Sequence, residues 1–128
     1  MNLLLDTHVA LWALADGPSR LGPATVEALR SRRNVVAVSA ASVWEVEIKR
    51  ALGKLEAPSG FALACVERGF EEFPITFDHA EVAAQLPLHH ADPFDRMLIG
   101  QATVEDFHIV SADRAFAAYG IDLLDPST

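Results

Sequence analysis

Short apolar runs alternate with longer stretches of helical spacing along most of the chain. Met1-Asn2-Leu3-Leu4-Leu5 stops at Asp6 and predicts a buried strand over about residues 2–6. Val9, Leu11, Trp12, Leu14 and Ala15 then give a broad apolar helix surface starting at Thr7. Asp16-Gly17-Pro18-Ser19 reads as a turn, and Pro23 suits the first turn of a helix over roughly 23–32. Asn34-Val35-Val36-Ala37-Val38 is a second buried strand. Ser39 or Ser42 caps the helix carrying Val43 to Ile48, which ends near Gly53. A helix over about 58–69 follows. Phe73-Pro74-Ile75-Thr76 is a short strand or extended link, placed at an edge by its proline. Asp78 opens a short helix to about Leu86, and Pro87 to Ala91 is a loop. Asp92-Pro93 opens a helix with Phe94, Met97, Leu98, Ile99 and Ala102 on its apolar surface. A strand over about 107–111, a short helix over about 113–118 and a last strand near 121–124 complete the pattern. This alternation predicts an α/β fold with a mainly parallel sheet.

The 128 residues suffice for one domain, and neither a repeat nor a linker divides residues 1–128. An apolar fraction of 51% suits a sheet covered on both faces. The first apolar run is too short for a signal peptide, and no stretch approaches the ~18 apolar residues of a membrane span. Cys65 is the only cysteine, which excludes an internal disulfide and a thiolate metal site. The expectation is a soluble, cytoplasmic protein with no membrane partner.

A formal charge of −8 argues against a general nucleic-acid binder. The charge is unevenly distributed, however. Between residues 30 and 54, six cations (Arg30, Arg32, Arg33, Lys49, Arg50 and Lys54) face only Glu45 and Glu47, a net +4 that leaves −12 elsewhere. A locally basic surface beside an acidic pocket is suited to RNA; ordinary solvated helix charge is the alternative.

The acids carry the chemistry. Asp6 ends the first strand and Asp113 follows the strand near 107–111, while Glu45 and Asp95 lie in or beside helices. Acids just past parallel strand ends converge in the crevice outside the sheet's carboxyl edge. Bare carboxylates packed together repel and are costly to desolvate. A divalent cation removes both problems, and all-oxygen ligands favour Mg²⁺ or Mn²⁺. The pattern points to a metal-dependent phosphodiesterase.

Each acid also has a plainer role open to it. Asp6, Asp92 and Asp113 are placed to cap helices, and Asp95 favours a helix dipole as N3. Glu45 has Lys49 one turn on as an ion-pair partner. Arg96 is placed to meet an acid or a phosphate. His89 and His90 raise a zinc site, but an HExxH pattern is missing. Trp12, Trp44, Phe94 and Phe116 are expected in the core rather than as base-stacking platforms. A P-loop is excluded because Pro23-Ala24 stands where Lys-Ser/Thr is required. A phosphoacceptor receiver needs adjacent acids after its first strand and a late lysine. Here Asp6 lies between Leu5 and Thr7, and no lysine follows Lys54.

Leu3 to His8, Val38 to Val46, Leu52-Gly53-Lys54-Leu55, Leu86 to Ile99 and Val110 to Phe116 resemble, in this order, the PIN-domain nucleases. Within them the resemblance is to the VapC-type toxins of bacterial toxin–antitoxin pairs. The block His89-His90-Ala91-Asp92-Pro93-Phe94-Asp95-Arg96 is its most specific part. The resemblance implies a three-layer α/β/α domain. It implies that Asp6, Glu45 and Asp95 are metal ligands, with Asp113 at the more variable fourth position and Ser111 at a small polar position beside them. It further implies cleavage of RNA with Mg²⁺ or Mn²⁺, a small antitoxin partner and a homodimer. A catalytically silent PIN module is the alternative. Lys49, Arg50, Lys54 and Arg96 are the expected substrate contacts. Gly100 stands where many relatives carry alanine, with little functional consequence expected.

Overall fold

The computed structural model describes residues 1–15, 19–57 and 59–128. The expected turn at Asp16-Gly17-Pro18 and the expected helix start at Pro58 lie outside them. Strand β1 (Asn2–Leu5) leads into α1 (Thr7–Leu14), then α2 (Pro23–Arg30), β2 (Val35–Ser39), α3 (Ala40–Ala51) and α4 (Phe61–Glu67). Next come β3 (Glu71–Phe73), α5 (Phe77–Gln85), α6 (Pro93–Glu105), β4 (His108–Val110), a 3₁₀ turn at Arg114–Tyr119 and β5 (Leu123–Leu124). The five strands form a parallel sheet in the order β3-β2-β1-β4-β5.

Both faces of the sheet are covered. Leu3 and Leu5 point to one face with Val9, Ala10, Val46, Phe61 and Cys65; Leu4 points to the other with Leu98, Ile99, Ala102 and Phe116. This alternation along β1 is the two-residue period of a strand, and it yields the expected three layers. β1 is central, and its Leu3, Leu4 and Leu5 are buried on both faces. Its neighbours are reached in opposite directions, β2 first and β4 last. The carboxyl ends of β1 and β4 therefore flank the point where the strand order reverses, the usual place for a crevice in an open α/β sheet.

Several elements differ from their sequence expectation for local reasons. The edge strand is Glu71–Phe73 and ends before Pro74, which has no N–H for a ladder. Its two glutamates face solvent at the rim, so no apolar run marks it. α4 starts only at Phe61, because Gly60 has φ of 85° and the chain cannot continue a right-handed helix through it. α5 is capped by Thr76 rather than opened by Asp78: Thr76 Oγ1 accepts from His79 N–H, and His79 Nδ1 accepts from Thr76 N–H. α5 packs on α6 at Gly100. A Cβ there would stand 2.9 Å from His79 O and 3.0 Å from the Ala83 backbone, so glycine permits this close approach.

Candidate metal centre

The carboxyl edge of β1 delivers Asp6, which is buried. Its backbone N–H donates to Val110 O at 3.1 Å, tying the end of β1 to the end of β4. Oδ1 accepts from Val9 N–H at 2.8 Å and so caps α1. Oδ2 accepts a hydrogen bond from the hydroxyl of buried Ser111. The Ser111 Oγ also accepts from Asp113 N–H at 3.0 Å. Asp113 Oδ1 in turn caps the 3₁₀ turn through Ala115 N–H at 2.9 Å. Its Oδ2 lies 3.4 Å from His90 Nε2. One oxygen of each aspartate thus closes a helical turn while the other meets a neighbouring side chain, Ser111 for Asp6 and His90 for Asp113.

Glu45 is 5% exposed, far from the solvated position its mid-helix place suggests. Ala41, Ser42 and Val46 share its side of α3, which lies against the domain. Thr7 donates to Glu45 Oε1 at 2.6 Å and lies 3.0 Å from Ser42 Oγ. Lys49 Nζ pairs with Oε2. This contact raises the Lys49 pKa, and Asp92 and Asp95 reinforce the shift. Lys49 is therefore the counter-cation of the acid pocket rather than a free surface charge.

α6 delivers Asp95 one turn past its cap. Asp92 Oδ1 accepts from Phe94 N–H at 2.8 Å and Asp95 N–H at 3.0 Å, and Pro93 fills the first helical position. The capping role expected of Asp92 is thus present, and it leaves the Asp95 side chain free to face His90 Nε2 at 2.8 Å. Burial, then the charge of Asp92 and also of Glu45, pushes the Asp95 carboxyl up to about 6, against the opposing pull of His90. Burial likewise raises Asp6, with a further push from Asp113. The four expected acids are thus linked in a chain of contacts, with Asp95 and Asp113 closest together at His90 and Asp6 and Glu45 outside that group. Asp6 joins Asp113 through Ser111, Asp113 and Asp95 meet at His90, and Asp95 feels Glu45.

The cationic candidates do not all face these acids. The Arg96 guanidinium is engaged by four main-chain carbonyls: Pro87 at 3.0 Å, His90 at 3.3 Å, Ala83 at 3.0 Å and Leu86 at 2.9 Å. It holds the loop before α6 rather than offering an open fork to phosphate. Arg50 pairs with Glu47 at 2.6 Å on the surface, and Lys54 is exposed in the turn after α3. Trp44 departs from the core expectation. It is 63% exposed beside the site and stands edge-on to half-buried Phe94 at 5.6 Å. Its direction on α3 is opposite to that of Ser42 and Val46, so the helix leaves it outside. Phe116 is fully buried, as expected.

Two contributors carry no clear mark in the sequence. Thr7, which reads there only as the start of a helix, fixes Glu45. His90, which reads there only as a zinc ligand, lies between two aspartates; its place beside the Asp-Pro cap is the one signal of it. Among the described residues, one group of three potential ligand side chains has its atoms all within 4.8 Å: His90, Asp95 and Asp113. These atoms fit a divalent cation. Burial raises the pKa of Asp6 and Asp95, which a bound cation would offset, and oxygen donors without thiolate suit Mg²⁺ or Mn²⁺.

A family model described as the PIN domain matches residues 3–122. The chain belongs to the PIN domain family. This PIN domain is also similar in fold to solved structures across nearly its whole length. One is VapBC2 from Rickettsia felis bound to a promoter DNA fragment, with a TM-score of 0.71 at 14% identity, covering 97% of this chain and 98% of that one. DNA-bound VapBC from Salmonella typhimurium gives 0.68 at 22%, covering 98% of each. FitAcB from Neisseria gonorrhoeae gives 0.67 at 19%, covering 97% of each. No curated protein sequence matches this PIN domain. No helix among the described residues is long and apolar enough to cross a membrane.

Proposed function

We propose that this PIN domain is a metal-dependent endoribonuclease, the toxin of a toxin–antitoxin pair. The observation that supports the reading is a chain of contacts among acids from four separate segments: Ser111 joins Asp6 to Asp113, His90 lies between Asp113 and Asp95, and the charge of Glu45 reaches Asp95. Asp6, Asp95 and Asp113, with Glu45 beside them, would hold Mg²⁺ or Mn²⁺. Such an ion, when bound, polarises a scissile phosphate and lowers the pKa of a water. The protein's own part is positioning. Ser111 aims Asp6, Thr7 and Lys49 aim Glu45, and the capped start of α6 aims Asp95. Arg50 and Lys54 are left at the surface to meet RNA phosphates, and Lys49 joins them only when RNA competes with Glu45.

The toxin assignment rests on the family, with its likeness to VapBC structures as support. Exposed Phe77 at the start of α5 and Leu88 after it, with Trp44 on α3 and Leu52 just past its end, suit protein partners: an antitoxin and a second copy of the chain. The test is incubation of purified protein with cellular RNA in Mg²⁺, in Mn²⁺ and in excess EDTA. Cleavage in either metal and none in EDTA is expected, as is growth arrest on expression without the antitoxin. Undiminished cleavage in EDTA contradicts the metal mechanism. Normal growth with soluble, cleaving protein removes the toxin assignment alone.

A further inference from the structure

His90 is held on every side but one. Its N–H donates to Tyr119 Oη at 2.7 Å, and its carbonyl accepts from Arg96 at 3.3 Å. Its ring meets Phe116 edge-on at 5.9 Å. What remains is Nε2, a buried atom without a hydrogen-bond partner among the described residues. It stands 2.8 Å from Asp95 Oδ2 and 3.4 Å from Asp113 Oδ2, yet neither contact has hydrogen-bond alignment. An unpartnered buried nitrogen grouped with two carboxylate oxygens is a donor that a shared cation would satisfy. Neighbouring ligands of an octahedral ion, with bonds of about 2.1 Å, lie about 3 Å apart. The two distances bracket that spacing.

We propose that His90 ligates, through Nε2, the cation held by Asp95 and Asp113. The proposal rests on the metal-centre reading above and adds a nitrogen donor to an otherwise all-oxygen set. Ligation requires the ring proton on Nδ1, which now faces Asp92 N–H at 3.5 Å. A contact that long is at the limit of a hydrogen bond and costs little to lose. The consequence is ion choice. Imidazole suits transition ions, and Mg²⁺ favours oxygen alone. The site should therefore prefer Mn²⁺ over Mg²⁺ more strongly than the four acids would.

Pulsed EPR of Mn²⁺ bound to the full chain tests this directly, since a ligating imidazole imprints a ¹⁴N coupling. The expected result is a ¹⁴N coupling in the wild type that is lost in His90→Gln and kept in His8→Ala. Calorimetry should show the Mn²⁺-to-Mg²⁺ affinity ratio falling on the order of tenfold in His90→Gln. Circular dichroism is expected to show that variant folded; His90→Asn serves if it is not. A wild type that binds Mn²⁺ without ¹⁴N coupling overturns the role of His90 and leaves the metal centre standing. A coupling that survives in His90→Gln also overturns it. A wild type that binds no Mn²⁺ overturns the metal centre and this proposal together.

Discussion

A single aspartate here does two jobs, one with each oxygen. Asp6 and Asp113 cap helical turns through Oδ1, while Oδ2 meets Ser111 in one and His90 in the other. Sequence alone leaves capping and ligation as rivals, because a one-dimensional pattern cannot divide a carboxylate between them. The isostere asparagine separates them: Asp6→Asn keeps an oxygen for the cap and removes the charge. Asp95 shows the cost of that charge. Its folded pKa of about 6 lies above the ordinary carboxylate value of 3.8. Both states are protonated below about pH 4, so there the full stability is present. As pH rises through about 6 the buried carboxyl must ionise, and stability is lost. Without divalent cation, the unfolding midpoint should therefore fall between about pH 4 and 6, and Asp95→Asn should flatten that fall. Added Mn²⁺ should restore stability above pH 6 in the wild type only. A wild-type profile flat across this window contradicts the assignment. Trp44 provides the opposite case, a large side chain whose removal is cheap. Trp44→Ala should change stability by within about 0.5 kcal/mol, as for an exposed residue.

At the scale of elements, the loop before α6 and the α5–α6 contact are where local sequence says least. The motif containing Arg96 is conspicuous, but the residue's job depends on carbonyls from Ala83 to His90 that only the fold gathers. Arg96→Ala should lower stability by about 3 kcal/mol, since it strips a charged donor from several half-buried acceptors. Arg96→Lys should not restore it, because an ammonium lacks the planar fork. Denaturant unfolding measures both, and wild-type stability in Arg96→Ala contradicts the clamp. Gly100 is expected to matter little to function, and its structural part is separate. Gly100→Ala should cost about 1–3 kcal/mol by forcing α5 from α6. An unchanged midpoint would show that the helices shift freely. The strands and helices legible in the sequence, β1, β2, α3, α6 and β4, are those with clear apolar periodicity or strong caps. β3 lies two residues before its expected start because its outer positions are glutamates at a solvated edge.

Taken whole, the molecule is an acidic domain with acids gathered at the carboxyl edge of its sheet, near the switch point. The parallel α/β architecture is legible because alternating buried runs and helical stretches admit few other packings. The meeting of Asp95 and Asp113 is also legible, because acids at strand ends and helix starts fall on one edge of such a sheet. The bracing by Thr7 and Ser111 and the aim of His90 are not, since each depends on side-chain direction across elements. The central claim is that these acids hold a cation that cuts RNA. Its most direct test is cleavage of a defined RNA against Mn²⁺ concentration, with the cation-induced rise in unfolding temperature measured on the same samples, for the wild type and Asp95→Asn. The account predicts that cleavage and thermal shift saturate together in the wild type. It predicts that Asp95→Asn, still folded, loses cleavage on the order of 100-fold or more along with the shift. Wild-type cleavage that ignores Mn²⁺, or an Asp95→Asn protein that cuts at the wild-type rate, would contradict it.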